Sequence, residues 1–98
     1  MDDKLELGGN IELSGFSSLD GGVMIVLKKI VGNWVKRLSE KTKAFEKLSL
    51  TMKTVHGGIY ELHCNLVDNG KVLASSCEDR NLFVGVDSVL KKVMNEIK

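Results

Sequence analysis

Residues 66–90 read Leu66-Val-Asp-Asn-Gly-Lys-Val-Leu-Ala-Ser-Ser-Cys-Glu-Asp-Arg-Asn-Leu-Phe-Val-Gly-Val-Asp-Ser-Val-Leu90. Asn69-Gly70 supplies the two positive-φ residues of a type I′ turn, which is the strongest short-range signal for a β-hairpin. The cross-strand pairs that this turn dictates are Asp68 with Lys71, Leu66 with Leu73, Cys64 with Ser75 and Leu62 with Cys77. The last three pairs place six side chains on one side of the sheet, so this side must meet another layer.

A helix follows the hairpin directly. Asn81 can cap it by accepting a hydrogen bond from a free N–H group of the first turn. Apolar residues then recur at intervals of three and four, which is the period of a helix with one buried face. This apolar stripe consists of Leu82, Val86, Val89, Leu90, Val93 and Ile97, and the residues outside it include Lys91, Lys92, Asn95 and Lys98.

The chain before the hairpin shows the same two periods. A helical apolar stripe is formed by Val23, Leu27, Ile30, Val31, Trp34 and Leu38. Ser18 or Asp20 can cap this first helix. Alternating apolar and polar residues predict strands over 11–14, 48–53 and 60–67, and His56-Gly57-Gly58 turns the chain between the last two.

These elements follow one another in the order β-α-β-β-β-α. Two apolar helix stripes and one apolar sheet side predict an α+β fold, a two-layer sandwich with two helices packed on one face of a four-stranded sheet. We expect a single domain over residues 10–98. Residues 1–9 have no clear period, and Gly8-Gly9 separates them from the first predicted strand, so we expect a flexible acidic tail, with a short edge strand as the alternative.

Length and composition place the chain among globular proteins. With 98 residues, 43% hydrophobic and 28% charged, it has room for one modest core and no second domain. Its longest apolar run, residues 23–27, is far shorter than the roughly 20 residues that cross a bilayer. Since the first residues are acidic where a secretory signal would be basic, we expect a cytoplasmic protein.

The charges behind the net value of +1 are distributed unevenly along the chain. Residues 1–20 hold five acidic residues and one basic residue, whereas residues 28–47 hold seven basic residues and two acidic ones. A local basic stripe matters more than net charge for binding a polyanion, because phosphates are contacted by one face at a time. The alternative is an ordinary solvated helix face, which many proteins have.

The residues that could carry catalysis or bind a metal do not converge. Cys64 and Cys77 are predicted to be diagonal neighbours in the core, where they pack as small hydrophobic residues. His63 should face solvent and His56 lies in a turn, so no tetrahedral zinc site is expected. The carboxylates of Glu61, Asp79 and Asp87 are interpreted as solvated or near a helix start. We therefore expect no enzyme activity, no metal and no cofactor.

The order of elements and the segment from Asn69-Gly70 to Lys92 resemble the ribosome hibernation promoting factor family, also called ribosome-associated translation inhibitors. In that family an acidic residue, then Met-Tyr, then Ala-Ala-Ile-Asp or a close variant opens the last helix. Here the corresponding positions read Asn81, Leu82-Phe83 and Val84-Gly85-Val86-Asp87. The resemblance is best over residues 60–98, fair over the first helix and poor over the first ten residues.

The resemblance implies a non-enzymatic factor that occupies the mRNA and tRNA region of the small ribosomal subunit and inhibits translation in idle or stressed cells. The family's basic positions fall on Lys28 and Arg37 with Lys29 and Lys36 adjacent in the first helix, and on Lys91 and Lys92 in the last helix. The expected partner is the small subunit and its rRNA, with neither DNA nor a membrane involved. Since the sequence ends at Lys98, it resembles the short members, and we expect a monomer or a weak homodimer.

Two further interpretations stay open at this point. The same α+β order resembles double-stranded RNA binding domains, which also points to RNA. A protein-interaction module of the same fold, dimerising and without RNA binding, is the alternative from a different class. It is motivated by the near-neutral net charge, by the acidic first residues, and by Asn95-Glu96 at a place where the family commonly has an arginine.

Overall fold

A computed structural model of the chain describes residues 4–8 and 10–97. Its elements in chain order are β1 (Lys4–Glu6), β2 (Ile11–Ser14), α1 (Gly21–Lys41), β3 (Phe45–Val55), a 3₁₀ turn (His56–Gly58), β4 (Ile59–Asp68), β5 (Lys71–Asp79) and α2 (Leu82–Asn95). The strands form one sheet in the order β1-β2-β3-β4-β5. The predicted α+β class and the order of the main elements are confirmed.

One parallel pair organises the sheet. β2 and β3 run parallel with Leu13 opposite Leu50, whereas all other neighbouring strands are antiparallel. Parallel strands cannot be joined by a tight turn, so α1 provides the crossover that returns the chain to the same end of the sheet. This places α1 on one face of the sheet, where it packs beside α2.

The predicted hairpin has the register that its turn dictates. Asn69 and Gly70 have φ values of 53° and 81°, as a type I′ turn requires. The four predicted pairs are all present: Asp68 with Lys71, Leu66 with Leu73, Cys64 with Ser75 and Leu62 with Cys77. Because side chains alternate along a strand, this register puts Leu62, Cys64 and Leu66 into the core.

Both helices bury most of the predicted stripes, although Val23 and Ile30 of the α1 stripe are half-buried. On α1 the buried residues are Leu27, Val31, Trp34 and Leu38, and on α2 they are Leu82, Gly85, Val86, Val89, Leu90 and Val93. The Asn81 side chain caps α2 by accepting a hydrogen bond from the Val84 N–H at 3.2 Å. Asp20 occupies the N-cap position of α1, but its side chain makes no capping hydrogen bond.

The sheet has five strands, and the predicted count of four was too low. Lys4–Glu6 pair antiparallel with β2, with Lys4 opposite Ser14 and Glu6 opposite Glu12. Gly8, at φ +72°, reverses the chain between them, and the Leu7 N–H donates to the Ile11 carbonyl at 2.9 Å. Residues 4–6 therefore form the short edge strand that was the alternative to a flexible tail. The rest of the expected tail at residues 1–3 and 9 lies outside the described residues.

Glu12 on β2 forms ion pairs with one lysine of β1 and one lysine of β3. Its carboxylate lies 3.4 Å from the Lys4 ammonium and 3.1 Å from the Lys47 ammonium. The hydrogen bond from Lys47 is the main reason that the pKa of Glu12 is held below its ordinary value of 4.5. A carboxyl group with a lowered pKa in the folded state contributes stability above its unfolded pKa and loses that contribution as the pH falls through the folded pKa.

We expect Glu12→Gln to lower the urea midpoint at neutral pH, because glutamine keeps the shape but cannot pair with either ammonium group. The gap between the two proteins should narrow as the pH is lowered from about 4.5, since the wild-type carboxyl is then protonated as well. Glu78→Gln is the control, because Glu78 makes no ion pair within the described part of the chain. A gap that persists unchanged at pH 3 would contradict this assignment.

Candidate nucleic-acid interface

The predicted basic residues of α1 lie on three sides of that helix. The four residues, all of them exposed, are Lys28, Lys29, Lys36 and Arg37. Lys29 and Lys36 lie about 180° around the helix from the buried stripe, because each residue advances an α-helix by about 100°. Their side chains therefore project from the helical layer away from the sheet. Lys28 lies on the flank near the sheet edge, where it lines a cleft with Leu7 and Ile11.

Arg37 lies at the seam between the two helices. Its guanidinium carbon is 4.9 Å from the ring centroid of Trp34, a cation–π distance. Both side chains line a shallow cleft of about 130 Å³ together with Ile30, Asn33 and Asp87. Trp34 is buried, so the ring gives the exposed guanidinium a fixed surface to rest on.

On α2 the two predicted lysines point in different directions. Lys91 is exposed and lies opposite the buried stripe, so it projects from the same outer side of the helical layer as Lys29 and Lys36. Lys92 is also exposed, but its ammonium group donates a hydrogen bond to the Ser76 carbonyl of β5 at 3.0 Å. Lys92 therefore lies on the flank of α2 that faces the sheet edge.

The structure thus separates the six predicted residues into an outer group, one residue at the helix seam and two positions near the edges. Lys29, Lys36 and Lys91 share the outer side of the helical layer, and Arg37 lies at the seam between the two helices. Lys28 and Lys92 lie near opposite edges of the sheet. Within residues 4–8 and 10–97, no ion pair includes any of the six. Their positive charges are therefore available to an external anion.

Asp87 has a role that the sequence interpretation missed. Its carboxylate accepts a hydrogen bond from the Trp34 indole N–H at 2.6 Å, which joins α1 to α2. The sequence held one signal for this contact. Trp34 is the only tryptophan and lies in a buried stripe, and a buried indole N–H usually finds an acceptor. Asp87 is exposed, in agreement with its interpretation as a solvated carboxylate, but its contact with Trp34 was not predicted.

Cys64 lies in the core as predicted, whereas Cys77 is partly buried and packs against the core. Cys64 is buried, and burial raises the pKa of its thiol to about 12. The Cys77 thiol donates to the Gly85 carbonyl at 3.1 Å, and burial also raises its pKa. A reactive cysteine needs a lowered thiol pKa, so neither residue has the environment of a nucleophile or a redox centre.

The described residues contain no cluster that suggests a metal site. In that part of the chain, no group of three or more histidine, cysteine, aspartate and glutamate side chains is placed to hold an ion. His63 pairs with Glu61 on the open face of the sheet at 2.8 Å, and His56 lies in the 3₁₀ turn. Nor does any described helix combine the length and the apolar character needed to cross a bilayer.

Comparison with known proteins bears on the fold. No family model matches the sequence, and no curated protein matches it. The solved N-terminal domain of Thermus thermophilus Protein Y matches with a TM-score of 0.68 and 14% identity, over 96% of this chain and 97% of that chain. A ribosomal subunit interface protein from Coxiella burnetii matches with a TM-score of 0.59 and 6% identity, over 90% of each chain. The resemblance seen in the sequence is thereby confirmed at the level of the fold, which this chain shares with both proteins.

Proposed function

We propose that this chain is a non-enzymatic, cytoplasmic ribosome-binding factor that occupies the mRNA and tRNA region of the small subunit and inhibits translation in idle or stressed cells. The observation that carries the proposal is the set of exposed basic residues on the helical layer, with Lys29, Lys36 and Lys91 on its outer side and Arg37 at the seam. None of the four belongs to an ion pair among the described residues. The fold likeness to a ribosomal subunit interface protein supports the choice of the ribosome over other polyanions.

Such a surface suits rRNA for an electrostatic reason. Each lysine or arginine that neutralises a phosphate releases condensed counterions, so binding gains free energy without reading any base. Lys29, Lys36, Arg37 and Lys91 would form the centre of this contact, and Lys28 and Lys92 would extend it toward the two edges. A protein bound in this way inhibits by occupying space, and it needs no catalytic group.

The alternative, a dimerising module of this fold without RNA binding, has less support. A stable dimer usually buries a contiguous apolar patch. The exposed large hydrophobic residues of the described chain are instead spread over four elements, namely Leu5 on β1, Ile25 and Val26 on α1, Val72 on β5 and Val84 on α2. We therefore keep the dimer as an outcome of the test below.

We expect Lys36→Glu/Lys91→Glu to lose most co-sedimentation with small subunits, with an affinity about tenfold or more below that of the wild type at moderate salt. The slope of log affinity against log salt should also fall by about two, one for each phosphate that is no longer neutralised. The control is Lys53→Glu/Lys71→Glu, which changes the net charge equally but alters only exposed lysines of β3 and β5. Equal losses in the two variants would show a non-specific charge effect and contradict the assignment.

The location of the contact can be tested with the same assay. Small subunits already carrying mRNA and tRNA should retain little of the protein, because the ligands would occupy the same space. Binding that is undiminished by these ligands would place the protein elsewhere. A salt-insensitive dimer that retains no RNA would support the alternative.

A further inference from the structure

The side chains of Arg37, Trp34 and Asp87 lie next to one another at the seam between α1 and α2, with Trp34 between the other two. The Trp34 indole N–H donates to Asp87 at 2.6 Å, and the Arg37 guanidinium rests on the face of the same indole at 4.9 Å. Arg37 and Asp87 line one cleft, yet they form no ion pair. The indole thus contacts the carboxylate at its edge and the guanidinium at its face.

Two opposite charges line this cleft without pairing. Arginine and carboxylate groups favour a bidentate pair, and Arg37 is the one cationic side chain among the described residues that line this cleft. A carboxylate with no other partner would therefore attract Arg37. The indole N–H holds one oxygen of Asp87 at the edge of the ring, while the exposed Arg37 guanidinium rests on the face of the ring.

We propose that Trp34 is a positioning residue that keeps Asp87 from pairing with Arg37, so that Arg37 remains free to bind a phosphodiester. The proposal rests on the function proposed above and refines it. Trp34 itself is buried and does not reach the RNA. It acts through two neighbours. Its N–H group donates a hydrogen bond to Asp87, and its ring supports the guanidinium of Arg37.

The test removes the indole N–H and then the charge of Asp87. Trp34→Phe keeps an aromatic ring but frees the carboxylate, so Arg37 should pair with Asp87 and no longer bind a phosphate. When the salt concentration is lowered fourfold, the affinity for small subunits rises by some factor. This factor should be about three times smaller for Trp34→Phe than for the wild type, as expected when one phosphate fewer is neutralised. Trp34→Phe/Asp87→Asn should restore the wild-type salt dependence, because asparagine cannot neutralise Arg37.

The rescue separates this role from a structural one. If Trp34 and Asp87 only held the helices together, the second substitution would leave the defect in place or make it worse. Asp87→Asn alone should bind at least as tightly as the wild type, since it removes a negative charge beside Arg37. A double variant that binds no better than Trp34→Phe would overturn the proposal.

A gentler replacement covers the case in which Trp34→Phe fails to fold. The chain has one tryptophan, so benzothienylalanine supplied to a tryptophan auxotroph replaces residue 34 alone. This analogue keeps both rings and has sulfur in place of the N–H. It should show the same reduced salt dependence as Trp34→Phe, and a wild-type salt dependence would refute the role of the N–H group.

A second readout does not depend on the ribosome. The chain has two arginines, Arg37 and Arg80, so the guanidinium Nε–H signals are readily assigned by NMR. In the analogue the Arg37 signal should shift and exchange more slowly with water, because the group is then ion-paired. If this shift occurs while even the wild type fails to bind small subunits, the proposed function is wrong and the positioning role stands. An unchanged signal would contradict the positioning role.

Discussion

Replacing Gly15 with alanine is expected to lower the free energy of unfolding by about 3 kcal/mol or more, from a left-handed backbone and a steric clash together. Gly15 follows β2 with φ +86°, a conformation that side chains disfavour. A Cβ atom there would also lie closer than 3.0 Å to the carbonyl oxygen of Met52 on β3. Because that oxygen belongs to the backbone of a central strand, it cannot move aside cheaply. Urea denaturation followed by Trp34 fluorescence measures the change.

Gly57→Ala is the matched control for this prediction. Gly57 has φ +75°, but a Cβ atom there meets nothing within 4 Å. It should therefore show only the backbone cost of about 1–2 kcal/mol. Equal losses at the two positions would show that the contact with Met52 is not tight in solution.

Replacing Phe16 with alanine is expected to lower the free energy of unfolding by about 3–5 kcal/mol, as usual for a buried phenylalanine. Phe16 is 1% exposed and is the bulkiest of the fully buried side chains. It fills the core at the point where the chain leaves the sheet for α1, and the Leu19 N–H donates to its carbonyl at 3.1 Å. The same denaturation experiment gives the result.

Phe83→Ala makes the same chemical change at a half-buried position on α2. It should cost clearly less, since less apolar surface is removed from the core and water can enter the space. Phe16→Leu should lose only part of the stability, because most of the apolar volume remains. A loss at Phe16 no larger than that at Phe83 would contradict the central place of Phe16 in the core. Domains of this size have about 5–15 kcal/mol of total stability, so the Phe16 change alone removes much of it.

The hairpin was predictable because its information is local. Asn69-Gly70 requires one turn type, and that turn sets the register of every pair from Asp68–Lys71 to Leu62–Cys77. The α2 cap at Asn81 and the two helical stripes are equally local, since each depends on residues within a few positions. For these elements, turn chemistry and hydrophobic period agree, and tertiary packing confirms them.

The edge strand β1 and the connection between β2 and α1 were harder to predict. Lys4–Glu6 are polar at both ends and become a strand only because β2 offers a free edge and Glu12 a counter-charge. Phe16 and Gly15 lie in a short connection with no period, so nothing in the adjacent sequence marks one as core and the other as a point of close approach. These features depend on strands that are distant in sequence.

The candidate site divides in the same way. The sequence by itself determined the secondary structure on which each basic residue lies, because helical period and turn chemistry act over a few residues. Only the tertiary structure decided that Lys29, Lys36 and Lys91 share the outer side of the helical layer and that Arg37 lies at the seam. It also placed Lys28 and Lys92 near opposite edges and brought Trp34 to Asp87 across 53 positions. The physical reason is that the two helices become neighbours only when both bury their apolar stripes on one sheet. No local preference encodes which residues of their exposed faces then lie side by side.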